Sequence, residues 1–234
     1  MIKSRIAVAG ALLAVAGAAH ADFSVTPTIA SDYDFRGFTQ TAKDPAFQLG
    51  VNYAHESGFY AFGWGSNLDD ASYPGADLEL DVGVGFAGGD AAESFGYDVG
   101  VVYYTYPGES DYNFVEVYGG ISKGWFAGKL WYSPEFAGVP GDTSAFYVEG
   151  NGTFPLPADF SALAHLGYSF GDFWSGGGKY VDWSVGVSKS LGNFAVAVKY
   201  IDGSDFPDTP GTKVFDTRDK VVATISTTLP WKSE

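Results

Sequence analysis

The sequence predicts an all-β chain: a 12-stranded antiparallel transmembrane β-barrel preceded by a cleaved signal peptide. Three observations carry that expectation. Twelve segments of about ten residues, long enough for a tilted strand to cross a bilayer, alternate apolar and polar residues. The polar phase is acidic and small, and the connections between segments are alternately short and long. The run Ala76 to Phe86 shows the pattern most clearly, with Leu78, Leu80, Val82, Val84 and Phe86 in one phase and Asp77, Glu79, Asp81, Gly83 and Gly85 in the other. Successive strand side chains point to opposite faces, so such a segment needs an apolar surrounding on one side and water on the other.

The first 21 residues have the form of a secretory leader: Lys3 and Arg5, the apolar run Ile6 to Ala18, and the A-x-A site Ala19-His20-Ala21. The run is shorter than the roughly 18 residues a spanning helix needs, so residues 1–21 are expected to be cleaved and 22–234 to form the barrel. Removing Lys3 and Arg5 leaves 11 basic residues against 28 acidic, a net charge of −17. That balance excludes a nucleic-acid partner, which needs clustered Lys and Arg. With no cysteine in 234 residues there is no disulfide framework, thiolate metal site or cysteine nucleophile. No cofactor is expected.

Taken in order, the first segment places Val25, Pro27, Ile29, Tyr33 and Phe35 in one phase and Asp32, Asp34 and Arg36 in the other. Pro27 removes a ladder donor there. Phe47, Leu49, Val51 and Tyr53 alternate with Gln48, Gly50 and Asn52, and Tyr60, Phe62 and Trp64 with Ala61, Gly63 and Gly65. Ala76 to Phe86 is the fourth segment. Tyr97, Val99, Val101 and Tyr103 oppose Asp98, Gly100, Val102 and Tyr104; Val115, Val117 and Ile121 oppose Glu116, Tyr118 and Gly120. Phe126, Leu130 and Tyr132 oppose Ala127, Lys129 and Trp131, and Phe146, Val148 and Phe154 oppose Tyr147, Glu149 and Asn151. The ninth segment sets Ala162, Ala164, Leu166 and Tyr168 against Ser161, Leu163, His165 and Gly167, and the tenth sets Val181, Trp183, Val185 and Val187 against Asp182, Ser184 and Gly186. Phe194, Val196, Val198 and Tyr200 face away from Ala195, Ala197 and Lys199. Val221, Ala223, Ile225, Leu229 and Trp231 close the series.

No charged residue enters the apolar phase of any segment. The longer links, such as Asp69 to Gly75, Pro107 to Asn113 and Asp202 to Asp219, follow odd segments; turns such as Lys123-Gly124 and Leu191-Gly192-Asn193 follow even ones. Short turns at one end and long loops at the other are the habit of transmembrane barrels, with the long loops outside the cell. Tyr53, Phe86, Tyr132, Phe154, Phe170, Phe194, Tyr200 and Trp231 lie near strand ends, where rings suit the headgroup level.

The apolar face could instead point inward, as in a secreted lipocalin-like barrel. The high, even strand number, the leader without cysteine, and a charged phase heavy in Gly, Ala and Ser favour lipid outside and a wet lumen inside. Outer-membrane lipid and small hydrophilic solutes are then the expected partners, in the cell envelope of a Gram-negative bacterium. The runs SDYDFRGFTQT (Ser31 to Thr41), HESGFY (His55 to Tyr60), DVGVVYYTYPG (Asp98 to Gly108), WYSPEF (Trp131 to Phe136) and DWSVGVSKSLGNF (Asp182 to Phe194), together with Arg218 to Leu229, resemble the TorF family of proteobacterial outer-membrane porins. The resemblance implies a porin barrel and no catalytic residues.

Two catalytic alternatives fit poorly. Glu79 and Asp81 are spaced as a glycosidase pair could be, but inward wall acids are more often paired or hydrated. A lipase-type site needs Ser and His on the lipid face, whereas the mature histidines are His55, in a turn, and His165, in the polar phase. The acids of Asp202 to Asp219 match no EF-hand spacing. The expected pore-lining charges are Asp32, Asp34, Arg36, Asp77, Glu79, Asp81, Asp98, Glu116, Lys129, Glu149, Asp182 and Lys199. Nine acids against three bases favour cations or basic solutes in passive diffusion. The competing expectation is a closed structural or adhesive barrel acting through its loops.

Overall fold

The computed structural model describes residues 22–175, 178–204 and 219–231. The leader, 1–21, and most of the loop Asp202 to Asp219 lie outside the described residues. Twelve strands form one closed barrel: β1 (Asp22–Ala30), β4 (Ala46–Ala54), β5 (Phe59–Asn67), β6 (Leu78–Gly89), β7 (Gly96–Thr105), β8 (Phe114–Lys123), β9 (Phe126–Ser133), β10 (Ala145–Pro155), β11 (Phe160–Gly171), β12 (Tyr180–Leu191), β13 (Phe194–Ser204) and β14 (Lys220–Thr227). Two short strands, β2 (Asp34–Phe35) and β3 (Phe38–Thr39), pair with each other apart from the wall.

Every wall strand is antiparallel to its sequence neighbours, and the barrel closes where β1 meets β14. Pro27 lies at that seam. Continuous β1–β14 pairing covers only Thr28 to Ala30 and resumes as a bridge between Val25 and Leu229, so the missing N–H falls where the ladder is already open. Short turns, including Gly124-Trp125 and Gly192-Asn193, gather at one end with Asp22 and Trp231; residues 31–45, 68–77, 106–113, 134–144 and 172–179 connect strands at the other.

The outer wall is apolar. Phe47, Leu80, Val82, Val99, Val117, Leu166, Val185 and Val221 are all exposed there, while Glu79, Asp81, Glu116 and Asp182 are buried inside. A continuous belt of this kind is the surface a bilayer covers, and it removes the lipocalin-like arrangement. Rings cluster at both margins of the belt: Tyr132, Phe146 and Phe170 in a chain of contacts at the long-loop end, and Phe126, Phe154 and Trp125 at the short-turn end.

Two expectations are corrected. Tyr60, Phe62 and Trp64 face the lumen, not lipid: Trp64 is directly opposite Asp81 across the β5–β6 ladder, and Tyr60 is buried with its hydroxyl on Asp98. On β6 the inward positions opposite Tyr60 and Phe62 are Gly85 and Gly83. A Cβ on Gly85 would strike the Tyr60 ring, so the bare neighbour makes room for the aromatic. The second correction concerns residues 31–36, which do not prolong β1. The chain leaves the wall at Ser31, and Tyr33 is buried inside the barrel with its hydroxyl on Glu79.

Candidate functional site

The lumen is lined with polar and charged side chains, and its two halves are built differently. In the half near the long loops, residues 31–45 fold inward as a hairpin around β2 and β3. Asp32 organises it: its Oδ1 accepts hydrogen bonds from Thr39 Oγ1 (2.5 Å), Thr41 Oγ1 (3.0 Å) and the Lys43 amide (3.3 Å). Gly37, at φ 88°, passes close against Asp182 of the wall, where a Cβ would not fit.

Two ionic contacts tie the hairpin to opposite parts of the wall. Arg36 donates through Nη1 and Nη2 to Glu116 Oε1 and Oε2 at 2.9 and 2.7 Å, and Tyr104 Oη also donates to Oε2 at 2.9 Å. Such a forked pair fixes direction as well as distance. The Arg36 guanidinium also lies over the rings of Tyr147 (4.3 Å), Phe35 (4.7 Å), Trp131 (5.6 Å) and Phe136 (5.9 Å). Opposite, Lys220 Nζ sits 2.7 Å from Asp34 Oδ1 and 3.5 Å from Asp32 Oδ2 and donates to the Gly37 carbonyl at 3.1 Å. Burial pushes the Asp34 carboxyl above its ordinary value, with Lys220 pulling the other way. The pair therefore positions the loop more than it stabilises it. Phe38 adds an edge contact to Tyr180 (4.9 Å), beside the aromatic cluster of Phe136, Phe173 and Trp174. The loop 68–77 rests on the hairpin through Tyr73 Oη, which donates to Gln40 Oε1.

In the other half the described residues that fill the lumen are wall side chains, and most are half-buried. Tyr60, Tyr118 and Asp98 share hydrogen bonds, and Lys129 Nζ reaches Asp98 Oδ2 at 2.8 Å over the Tyr118 ring. Next to them Trp131 Nε1 and Asn151 Nδ2 donate to the two oxygens of Glu149, both at 2.8 Å. His165 links Asn151 to Asp182, with both contacts at 2.8 Å. Lys199 is half-buried and makes no ion pair among the described residues.

Of the expected pore-lining charges, Asp32, Asp34 and Arg36 lie in the hairpin instead of along a strand. Glu79, Asp81, Glu116 and Asp182 are buried within the barrel, and Asp98, Lys129, Glu149 and Lys199 lie in the more open half. Asp77 is exposed at the rim, ahead of β6, where its carbonyl accepts from the Leu68 amide. Glu79 and Asp81 face no cation among the described residues; Tyr33 Oη donates to Glu79 at 3.1 Å. Sequence reasoning passed over Lys220 and gave no role to the phenols Tyr104, Tyr118 and Tyr147. All three phenols stand in the polar phase, and Lys220 precedes Val221 in the phase of Val222, so alternation alone could have flagged them. Among the described residues no three His, Asp or Glu gather in a metal-binding group.

A closed twelve-stranded wall, apolar outside and charged within, defines a transmembrane barrel of the small-porin fold. Solved structures share it. The KdgM porin matches with TM-score 0.57 at 12% identity, covering 90% of this chain and 99% of its own. A KdgM porin in complex with disordered oligogalacturonate matches at 0.56 and 11%, with 90% and 99% covered. The NanC porin matches at 0.53 and 11%, with 88% and 98% covered. By sequence, the chain belongs to the Gcw_chp family of bacterial proteins of unknown function, whose profile matches residues 14–229. No curated protein sequence matches it.

Proposed function

We propose that the protein is an outer-membrane channel for passive diffusion of small hydrophilic solutes, reached by Sec export through residues 1–21 and related in kind to the TorF porins its motifs resemble. The observation that carries this reading is the polar, charged interior of a closed barrel whose exterior is apolar. Inward carboxylates outnumber Arg36, Lys129, Lys199 and Lys220, which favours cations or basic solutes. KdgM is recorded with oligogalacturonate, a polyanion; the acidic lumen here fits the opposite charge.

Planar-bilayer recording of the refolded protein tests the proposal. The expected result is a small conductance with a reversal potential favouring cations. Anion preference would overturn the selectivity. The hairpin of residues 31–45 favours a second reading, a closed barrel working through its external loops; that reading requires no current from the intact protein.

A further inference from the structure

We propose that Glu116, Tyr104, Tyr147 and Trp131 form a guanidinium-binding site in the barrel wall, and that Arg36 occupies it as a built-in ligand which a guanidinium-bearing solute can displace. The displacement step rests on the channel reading; the site itself does not.

A guanidinium is planar, and its best environment combines acceptors in its plane with ring faces beside it. Arg36 has both. The carboxylate of Glu116 takes both terminal nitrogens, and four rings lie within 6 Å of Cζ. Of those rings only Phe35 belongs to the hairpin. The others come from β9, β10 and the loop 134–144, while Glu116 and Tyr104 come from β8 and β7.

Each wall group is held by contacts that do not involve Arg36. Tyr104 stacks on Phe114 at 4.3 Å and bonds the carboxylate. Tyr147 Oη donates to Asp182 at 3.1 Å, and Trp131 Nε1 donates to Glu149 at 2.8 Å. The site would therefore keep its shape if the hairpin withdrew, which is what a binding site for a free ligand requires. The hairpin presents the side chain from its tip: Arg36 has a φ of 51° and Gly37 one of 88°, a backbone that turns sharply at this point. Tethering keeps the local concentration of Arg36 high, so a free solute must compete with it in the intact protein and meets an empty site when Arg36 is removed. An ammonium ion lacks the fork and the flat face, so the site discriminates between the two cation types.

The test uses the full-length barrel folded in detergent, with heat-modifiable gel mobility as the control for folding. Methylguanidinium titrated into R36A should change tryptophan fluorescence saturably, about tenfold more tightly than methylammonium, as expected for losing the fork and the stacking. The change should vanish in R36A/E116Q. An equal response to the two cations, or a response that survives E116Q, overturns the site. If R36A does not fold, R36K keeps the charge but gives up the fork, and should bind methylguanidinium at concentrations that leave the wild type unaffected; no difference from wild type overturns the proposal. In planar bilayers R36A should conduct more than the wild type, and methylguanidinium, unlike methylammonium, should reduce that current. Binding without current from any variant would remove the channel reading and leave the site in a closed barrel.

Discussion

The two halves of the lumen are walled by the same strands and filled in opposite ways. Near the long loops a hairpin of the chain itself occupies the space, tied by Arg36 to Glu116 and by Lys220 to Asp32 and Asp34. Near the short turns the same strands contribute only their own side chains, and Lys129, His165 and Lys199 remain half-exposed. Strand number fixes the barrel's circumference, but it does not fix the width of the passage. Here the difference between the halves centres on one connection, residues 31–45, against which Tyr73, Phe136, Phe173 and Trp174 of other long loops pack.

Removing that connection is the most direct way to break the contrast. Ala30 of β1 already pairs with Ala46 of β4, so an Asn-Gly turn can replace residues 31–45 without disturbing the ladder. The shortened barrel should keep its heat-modifiable mobility and conduct severalfold more in planar bilayers; unchanged conductance would mean that the hairpin does not set the passage. Next in size, Lys220→Met leaves Asp32 and Asp34 buried without their cation. Breaking a buried pair from one side costs about 3–5 kcal/mol. The loss should be visible in urea unfolding from lipid vesicles and in protease cleavage within 31–45.

The wall was legible in the sequence because a period of two survives any change of neighbour. β6 shows it without exception: Leu78, Leu80, Val82, Val84 and Phe86 are exposed, and Glu79 and Asp81 are buried. β5 was not legible for the same reason that it is unusual. Tyr60, Phe62 and Trp64 count as lipid-facing by hydrophobicity, and the room that Gly85 and Gly83 of the next strand leave for the first two is something β5 itself does not encode. Residues 31–36 imitate a strand, with Asp32, Asp34 and Arg36 alternating against Tyr33 and Phe35. The inward path is set by partners 80 residues away, in Glu116, and 183 residues away, between Lys220 and Gly37. The candidate charges could be picked out by phase. Their partners could not, because pairing depends on depth in the barrel and on which strand lies opposite.

The inversion of β5 yields a sharper test of the wall itself. Ala61 pairs with Val84, whose side chain faces lipid, so Ala61→Arg would place a charge in the apolar belt. Near the middle of a bilayer that costs about 2–4 kcal/mol, less toward the margins. Folding into lipid vesicles should be weakened by about 2 kcal/mol. A lumen-facing Ala61, as hydrophobicity alone predicts, would accept the arginine at almost no cost.

The smallest effect expected on stability separates the halves by function. Lys199 makes no ion pair among the described residues and borders the more open half, so Lys199→Gln strands no partner. Its unfolding free energy should move by no more than about 0.5 kcal/mol. The same substitution removes a positive charge from the part of the lumen that water reaches, so the reversal potential should shift further toward cations. Lys220 carries the same charge but is buried against the hairpin, with its side chain 4% exposed. Lys220→Met should therefore alter selectivity only to the extent that the hairpin moves. If the two substitutions shift the reversal potential equally while the hairpin stays protected from protease, permeating ions feel both halves alike, and the contrast between a filled half and a wet half does not govern conduction.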